Sequence, residues 1–316
     1  MRDTAYTDFR DAFFEELFRI AKKDPDVILL MADQGALSFE KFKKEIPKQI
    51  INAGIAEQNM IGVAAGLALS GKKVFVHAIA NFTTLRCYEQ IKVDLSIMNL
   101  PVTIVGVGAG FAYTSDGPTH HANQDIAAMR AIPGMTIFNA SDTNSLSKFS
   151  HLAYKNKGPV YIRFDKGSFP VIYNNQNHNF EDGLSIIKEG SDILIISTGT
   201  MVHHAMEISN KVDGNKNRVT VLDLYRIKPL NEKLLKKIIR KYKKIITLEE
   251  HIGTGGIGTI ISDLLADNNV FASFKRFALR DANCFVYGER NYMQRKMKLG
   301  TGNLSGKILN FLNEKK

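Results

Sequence analysis

The sequence GIAEQNM, residues 54–60, decides how the first part of this chain folds. It follows the apolar run QIINA, residues 49–53, and precedes the small-residue segment IGVAAGLAL, residues 61–69. This pattern predicts a strand, a tight turn and a closely packed helix. Glu57 then lies where the strand gives way to the helix. In apolar surroundings its carboxyl group can hold and transfer a proton. The alternative is an acid that only complements the positive end of the helix dipole.

A second motif, DGPTHH at residues 116–121, follows the apolar run PVTIVGVGAG at residues 101–110. Loops after parallel strands are where α/β proteins place their ligand sites. A histidine at such a place, here His120 or His121, can transfer protons or bond an anionic oxygen near neutral pH. The alternative is an ordinary Asp-Gly-Pro turn with two histidines at the protein surface.

The composition is that of a globular protein rather than a membrane or secreted one. Of the 316 residues, 44% are hydrophobic and 23% are charged. No apolar run approaches the roughly 18 residues that a membrane span requires. The polar N-terminus favours the absence of a signal peptide. Only two cysteines are present, Cys87 and Cys284, and they lie far apart in the sequence. We therefore expect a cytoplasmic protein without disulfides and without a membrane partner.

The net charge of +10 has a local explanation. Many lysines belong to the segment NEKLLKKIIRKYKK, residues 231–244, whose apolar residues recur at helical spacing. This pattern predicts an amphipathic helix with a solvated basic face. No basic motif interleaved with aromatic residues is present, so we expect no nucleic-acid partner. Anionic sugar phosphates or an acidic partner subunit suit the charge better.

Apolar runs alternate with helical periodicity along the chain. Strands are predicted in residues 26–35, 72–80, 101–110, 135–140 and 158–164, with helices in residues 7–22, 83–98 and 124–131 and after residue 142. The polar segment 173–184 reads as a linker, and the alternation resumes in residues 185–316. The predicted fold class is α/β, with two doubly wound domains: residues 1–172, built on a parallel sheet, and the smaller region 185–316.

The glycine-rich segment GTGGIG, residues 253–258, matches the spacing of a dinucleotide-binding loop. Such a site also requires an acid about 20 residues further on, at the end of the next strand. The chain has Phe274-Lys275-Arg276 there. We therefore expect a close turn between a strand and a helix, without a dinucleotide.

The segments GIAEQNMIGVAAGLALSGKKVFVHAIANF and SDGPTHHANQDIAAMRAIPGM together resemble the pyrimidine-binding domain of transketolase and of 1-deoxyxylulose-5-phosphate synthase. The resemblance extends from about residue 4 to about residue 312, and the chain is similar to the C-terminal half of a transketolase. It implies a pyrimidine-binding domain followed by a transketolase C-terminal-like domain. In that family a glutamate of the first motif bonds N1′ of the thiamine diphosphate aminopyrimidine, and Glu57 matches it.

The resemblance also implies the other residues of an active site. Asp116 matches an aspartate that contacts hydroxyls of the donor sugar, and His120 matches a histidine beside the cofactor. Phe82 matches a phenylalanine that stacks on the aminopyrimidine, with ordinary core packing as the alternative. Tyr88 is a further aromatic candidate for the pocket. Asp33 matches a cofactor-proximal aspartate across the subunit interface, with a turn acid as the alternative.

Three features concern the substrate. Arg163 and Lys166 lie in a segment where related enzymes bind a substrate phosphate, and an ion pair with Asp165 or another acid is the alternative. Leu85 stands where a second family aromatic is expected. Gly108 stands where transketolases carry a substrate-binding histidine. These two departures imply that the contacts with the sugar differ from those in transketolases, and they allow an unusual sugar substrate.

Related enzymes hold Mg²⁺ and the diphosphate of the cofactor with a Gly-Asp-Gly motif and a later asparagine. We take Asp116, Gly117 and Asn144 as a chance match to that motif, because Asp116 already belongs to DGPTH. The resemblance therefore implies no metal ligand in this chain and a separate N-terminal subunit that holds Mg²⁺. A dimer of this subunit within an α2β2 assembly is the expected partner arrangement.

The function implied is that of a transketolase subunit, which transfers a two-carbon ketol unit from a ketose, expected to be a phosphate, to an aldose. Thiamine diphosphate is the implied cofactor, with Glu57 and His120 as the catalytic residues. A deoxyxylulose-phosphate-type synthase and the β-type subunit of a 2-oxo acid dehydrogenase are close alternatives. A non-catalytic partner subunit is a more distant one.

Overall fold

The computed structural model describes residues 8–174, 178–213 and 218–314, which form two α/β units. Within those ranges, no helix combines the length and the apolar character that crossing a membrane would require. The elements of the first unit are α1 (Phe9–Ala21), β1 (Val27–Met31), α2 (Phe39–Glu45), β2 (Ile50–Asn52), α3 (Glu57–Leu69), β3 (Lys73–Ile79), α4 (Ala80–Thr83), α5 (Tyr88–Gln90), a π-helix (Ile91–Ile97), β4 (Val102–Val107), α6 (Asp125–Ala131), β5 (Thr136–Asn139), α7 (Thr143–Lys155) and β6 (Val160–Phe164).

The second unit follows a 3₁₀ turn at Phe180–Asp182. Its elements are β7 (Ser185–Lys188), β8 (Ile193–Ser197), α8 (Met201–Asp213), β9 (Val219–Asp223), β10 (Arg226–Lys228), α9 (Glu232–Ile239), β11 (Lys244–Ile252), α10 (Ile257–Asp267), β12 (Ser273–Leu279), α11 (Arg290–Lys296) and α12 (Thr301–Asn313). Strands β12, β11, β8, β9 and β7 form a sheet in that order, with only β7 antiparallel to its neighbour.

The sheet of the first unit has the order β10-β5-β6-β4-β3-β1-β2. Strands β1 to β6 run parallel, as predicted, and β10 is antiparallel to β5 at the edge. Both faces are buried: Ile28 and Leu30 of β1 belong to one core cluster, and Val27 and Leu29 belong to the cluster on the opposite face. Burial on both faces explains why such strands read as uninterrupted apolar runs. The α/β prediction with two doubly wound units is confirmed.

The prediction of one continuous helix over residues 83–98 is wrong. The chain makes the short helix α4, turns through residues 84–87, and then continues through α5 into the π-helix. The Thr84 hydroxyl donates to the Ala80 carbonyl at 2.6 Å, and Thr83 donates to the carbonyls of Ile79 and Ala80. Threonine side chains that bond nearby carbonyls offer the backbone an alternative to a regular helix. The break places Arg86 in an exposed turn.

The predicted linker is packed rather than loose where it is described, and residues 175–177 lie outside the described ranges. Tyr173 and Phe180 are buried. The Tyr173 hydroxyl donates to Asp223 Oδ2 at 2.8 Å, and Ser141 donates to the same oxygen at 2.7 Å. Burial raises the pKa of Asp223 to about 7, although both hydroxyl donors oppose the shift. Together with β10, which crosses to the first sheet, these contacts join the two units more closely than a boundary in the sequence suggests.

A buried charged cluster, which we call the junction triad, consists of Arg290, Asp165 and Glu250. Arg290 opens α11, and its guanidinium donates to Asp165 Oδ2 at 2.6 Å and to Glu250 Oε1 at 3.1 Å. Burial alone would raise the pKa of Glu250, but Arg290 holds it below its ordinary value. Burial alone would lower the pKa of Arg290, and the two carboxylates raise it instead. The triad therefore places one cation against two acids from different units.

We expect Arg290→Met to lower the free energy of unfolding by about 3–5 kcal/mol, because it leaves two buried carboxylates without their cation. Urea unfolding followed by circular dichroism measures the change. Lys296→Gln removes an exposed cation from the same helix. As the matched control, it is expected to change the free energy by no more than about 0.5 kcal/mol. Equal stability of the two variants would show that the triad contributes little.

Candidate active site

Asn52 organises the turn that leads to Glu57. Its side-chain oxygen accepts from the backbone N–H of Gly54 at 3.0 Å and of Asp33 at 3.1 Å. Gly54 has a φ of +70°, which a glycine adopts without strain, and the chain then enters α3 with Glu57 as its first residue. The Glu57 side chain is only 4% exposed. The predicted strand, turn and helix therefore place this carboxyl group in a nearly closed position.

Glu57 has a charged partner that the sequence argument did not include. The Arg86 guanidinium donates from Nη1 to Glu57 Oε2 at 2.8 Å. The same guanidinium lies over the Phe82 ring, with its central carbon 3.9 Å from the ring centroid. The side chain of Arg86 remains 42% exposed. The spacing of four residues from Phe82 is the one sequence signal that could have indicated this contact.

The DGPTHH loop brings His120 against the ring of Phe82. The two rings meet edge to face with centroids 4.9 Å apart. Thr119 and His120 Nδ1 share a hydrogen bond of 3.0 Å, and Asn81 holds the loop by donating to the Thr119 carbonyl at 3.1 Å. Asp116 is exposed in the same loop. The structure therefore assembles Glu57, Phe82 and His120 in one site.

Tyr113 is a member of the site that sequence reasoning missed. Its ring packs over Gly108, so closely that a Cβ atom at that position would lie 2.1 Å from the ring. The Tyr113 and His120 ring centroids are 5.9 Å apart, and Lys166 Nζ lies 5.1 Å from the Tyr113 centroid. The sequence indicated only the missing side chain at position 108. It gave no signal for the aromatic ring that fills the space.

Arg163 is directed at the protein interior. Its Nε donates to Asp125 Oδ2 at 2.7 Å, and its Nη2 donates to the Ala122 carbonyl at 3.0 Å. Burial alone would lower the pKa of Arg163, but Asp125 raises it above its ordinary value. The ion-pair interpretation therefore describes Arg163, with Asp125 rather than Asp165 as the acid. The expectation of phosphate binding now rests on Lys166, which is exposed.

Three further candidate residues have other surroundings. Asp33 is exposed, has a φ of +51°, and accepts a hydrogen bond of 3.2 Å from the Asn52 side chain. Tyr88 is partly buried against the hydrophobic core. The cofactor roles of both stay predictions. His121 is buried with its ring 5.0 Å from that of Phe111, and burial lowers its pKa.

The glycine-rich segment at residues 253–258 is a strand–helix turn, as expected. The Glu249 carboxyl group accepts from the backbone N–H of Ile257 at 2.7 Å and of Gly258 at 2.8 Å. Burial raises the pKa of Glu249 to about 7 despite these donors. A Cβ atom at Gly256 would lie 2.0 Å from Glu249 Oε2, which explains the glycine there. The carboxyl group occupies the place at the helix start that a pyrophosphate would need.

Comparison with known proteins assigns the two units. Residues 5–171 match the family model described as transketolase, pyrimidine binding domain, and residues 183–289 match transketolase, C-terminal domain. An apulose-4-phosphate transketolase subunit of Phocaeicola vulgatus is 37% identical over 263 residues, covering 83% of this chain and 84% of that protein. The 6-deoxy-6-sulfo-D-fructose transketolase subunit SqwH of Clostridium sp. (strain MSTE9) is 32% identical over 293 residues, covering 92% and 90%.

The fold agrees with these similarities. A solved structure described as a split gene transketolase, inactive beta4 tetramer, superposes with a TM-score of 0.86 at 29% identity, covering 98% of this chain and 99% of that one. The resemblance found in the two sequence motifs is thereby confirmed over both units. This chain belongs to the transketolase family, and its two units are the pyrimidine-binding and C-terminal domains of that family.

Proposed function

We propose that this chain is the subunit of a two-subunit transketolase that holds the aminopyrimidine of thiamine diphosphate and the donor ketose. A separate subunit holds the diphosphate and Mg²⁺. One observation supports this proposal above the others, namely the place of the Arg86 guanidinium. A planar cation stacks on Phe82 and donates a hydrogen bond to Glu57. Those are the two contacts that a protonated aminopyrimidine would need, so the residues present fit the cofactor.

Each side chain then has a defined task. When bound, thiamine diphosphate supplies the electron sink for breaking a carbon–carbon bond of the ketose. Glu57 holds and exchanges the proton at N1′, from a position that is almost closed to water. Phe82 orients the pyrimidine ring by stacking and excludes water from it. His120 lies against Phe82 and is placed to exchange a proton with an oxygen of the sugar.

The donor is a ketose with an anionic group. Asp116 is exposed in the loop that carries His120, where it can accept hydrogen bonds from sugar hydroxyls. Lys166 supplies a positive charge 5.1 Å from the centroid of the Tyr113 ring. The two relatives described above are named for a sugar phosphate and for a sulfo sugar, both of which carry an anion. The chain's net charge of +10 also favours an anionic substrate.

The partner is the N-terminal transketolase subunit, and we propose an α2β2 assembly in the cytoplasm, built on a dimer of this chain. Several large apolar side chains of the first unit are exposed to solvent. Ile55 is 77% exposed and Ile97 is 70% exposed. These exposed apolar side chains are available to a partner surface. The solved relative is described as an inactive assembly of β chains alone, which supports the need for a second type of subunit.

We expect the isolated chain to bind thiamine diphosphate weakly and to show no ketol transfer, because the diphosphate and Mg²⁺ contacts are on the partner. Adding the partner subunit and Mg²⁺ is expected to give both tight binding and transfer. Calorimetry measures the binding, and a coupled assay measures transfer. Micromolar binding by the isolated chain, or turnover by it, would contradict the two-subunit proposal.

We expect Glu57→Gln to lower transfer by the reconstituted enzyme about 10²–10⁴-fold, the usual contribution of general acid–base assistance. Glutamine keeps the shape of the side chain, so folding is expected to be retained. Proton–deuterium exchange at C2 of the bound cofactor measures the lost step directly. Glu89→Gln, an exposed acid in α5, is the matched control. Exchange at the wild-type rate in Glu57→Gln would show that Glu57 is a structural acid.

A further inference from the structure

The ring of Tyr113 and a side chain at position 108 exclude each other. Gly108 has a φ of +93°, and its Cβ position is filled by the edge of the Tyr113 ring. Tyr113 enters this space from the loop, and its ring centroid lies 5.9 Å from that of His120 and 5.1 Å from Lys166 Nζ. The chain has therefore placed a phenol close to the residues that the proposed function assigns to the donor sugar.

The Tyr113 hydroxyl is available to a ligand. It makes no hydrogen bond to a residue among those described, although the ring is half-buried. Burial raises the pKa of Tyr113, with a further contribution from Asp116 and an opposing one from Arg10. The phenol therefore keeps its proton throughout the neutral range. It can donate one hydrogen bond and accept others.

We propose that Tyr113 is a specificity-determining residue whose hydroxyl bonds a hydroxyl of the donor ketose, while Lys166 pairs with the anionic group of the same sugar. This inference rests on the proposed function. It assigns a hydroxyl of the ketose to the Tyr113 phenol and the anionic group to Lys166, whose Nζ lies 5.1 Å from the Tyr113 ring centroid. Sugars are then selected by the fit of their hydroxyls against the phenol as well as by their charge.

The test compares a phosphorylated ketose with its unphosphorylated form in the reconstituted enzyme. Tyr113→Phe keeps the ring over Gly108 and is expected to raise the KM of both sugars about threefold to tenfold, with a smaller effect on kcat. Lys166→Gln is expected to raise only the KM of the phosphorylated sugar. The matched control is Tyr154→Phe on α7, which removes a hydroxyl that donates to Asp24.

An unchanged KM in Tyr113→Phe, with active wild-type enzyme, would overturn the role of Tyr113 alone. Equal effects of Tyr113→Phe and Lys166→Gln confined to the phosphorylated sugar would overturn the division of the two roles. A wild-type complex without any ketol transfer would overturn the proposed function and this inference together.

A separate observation concerns Arg86, which makes both of the contacts expected for the cofactor's pyrimidine ring. A carboxylate as buried as that of Glu57 needs a cation or donors beside it. Arg86 provides them from an exposed turn, and its backbone carbonyl accepts from Gln58 Nε2 at 3.0 Å. The backbone can therefore stay in place while the side chain moves into solvent.

We infer that Arg86 is an internal placeholder, which occupies the pyrimidine position in the free chain and leaves it when the cofactor binds. In the free subunit, the contact with Arg86 avoids an unpaired buried charge at Glu57. The cofactor must in turn displace one ion pair and one cation–π contact. Loading is therefore weaker than it would be in a chain with an empty site.

The test uses 4-amino-5-hydroxymethyl-2-methylpyrimidine, the cofactor fragment that needs no diphosphate site and hence no partner. Its binding to the isolated full chain is measured by ligand-observed NMR. Arg86→Gln is expected to bind the fragment about threefold to thirtyfold more tightly, because the displaced contacts are absent. The same variant is expected to melt at a lower temperature without the fragment. Arg19→Gln, which loses exposed ion pairs with Glu15 and Glu16, is the matched control.

If Arg86 had only a structural role, its replacement by glutamine would lower both the stability of the chain and its affinity for the fragment. Weaker fragment binding by Arg86→Gln than by wild type would therefore overturn the placeholder. Binding by neither protein would also overturn it, because the site would then not accept a pyrimidine. Weaker binding by Arg86→Gln would overturn the placeholder alone, whereas binding by neither protein would also contradict the proposed pyrimidine site, and neither result depends on turnover.

Discussion

The junction triad holds more than the two units together. Besides meeting Arg290, the Glu250 carboxylate accepts from the backbone N–H of Phe111 at 3.0 Å. Arg290 also donates to the Ala109 carbonyl at 3.4 Å. These contacts fix the start of the loop that carries Tyr113, Asp116 and His120. Gly110 is required there, because a Cβ atom would lie 1.8 Å from Glu250 Oε2. A charged group of the C-terminal domain thus sets the shape of a site in the pyrimidine-binding domain.

Patterns in short stretches of sequence predicted the strands and turns whose conformation depends on neighbouring residues. Continuous apolar runs identified the buried strands, because a strand covered on both faces has no polar side. The turn before Glu57 followed from its glycine and its small-residue helix. The strand–helix turn at residues 253–258 was predicted because the acid that a dinucleotide-binding site requires is absent from residues 274–276. In each case neighbours in sequence decide the conformation.

The features that sequence did not predict depend on contacts between distant segments. Arg163 was a phosphate candidate until its partner Asp125, 38 residues away, was known. The Tyr113 ring fills the space beside Gly108. The motif showed that a side chain is missing at position 108, but it did not show which residue fills the space. Arg86 reached Glu57 only because the helix after Phe82 breaks. The partners of long polar side chains depend on which segments the fold brings together, and the periodicity of the sequence does not indicate those partners.

Strand β10 protects one edge of the first sheet. It belongs to the second unit by sequence, yet it hydrogen-bonds to β5 and closes that edge of the first sheet. An open edge strand offers unpaired amides to any other chain and invites aggregation. A fragment ending at the linker would expose β5 in this way. The two units of this chain therefore share a sheet. The edge strand of the pyrimidine-binding domain, β10, comes from the sequence of the C-terminal unit.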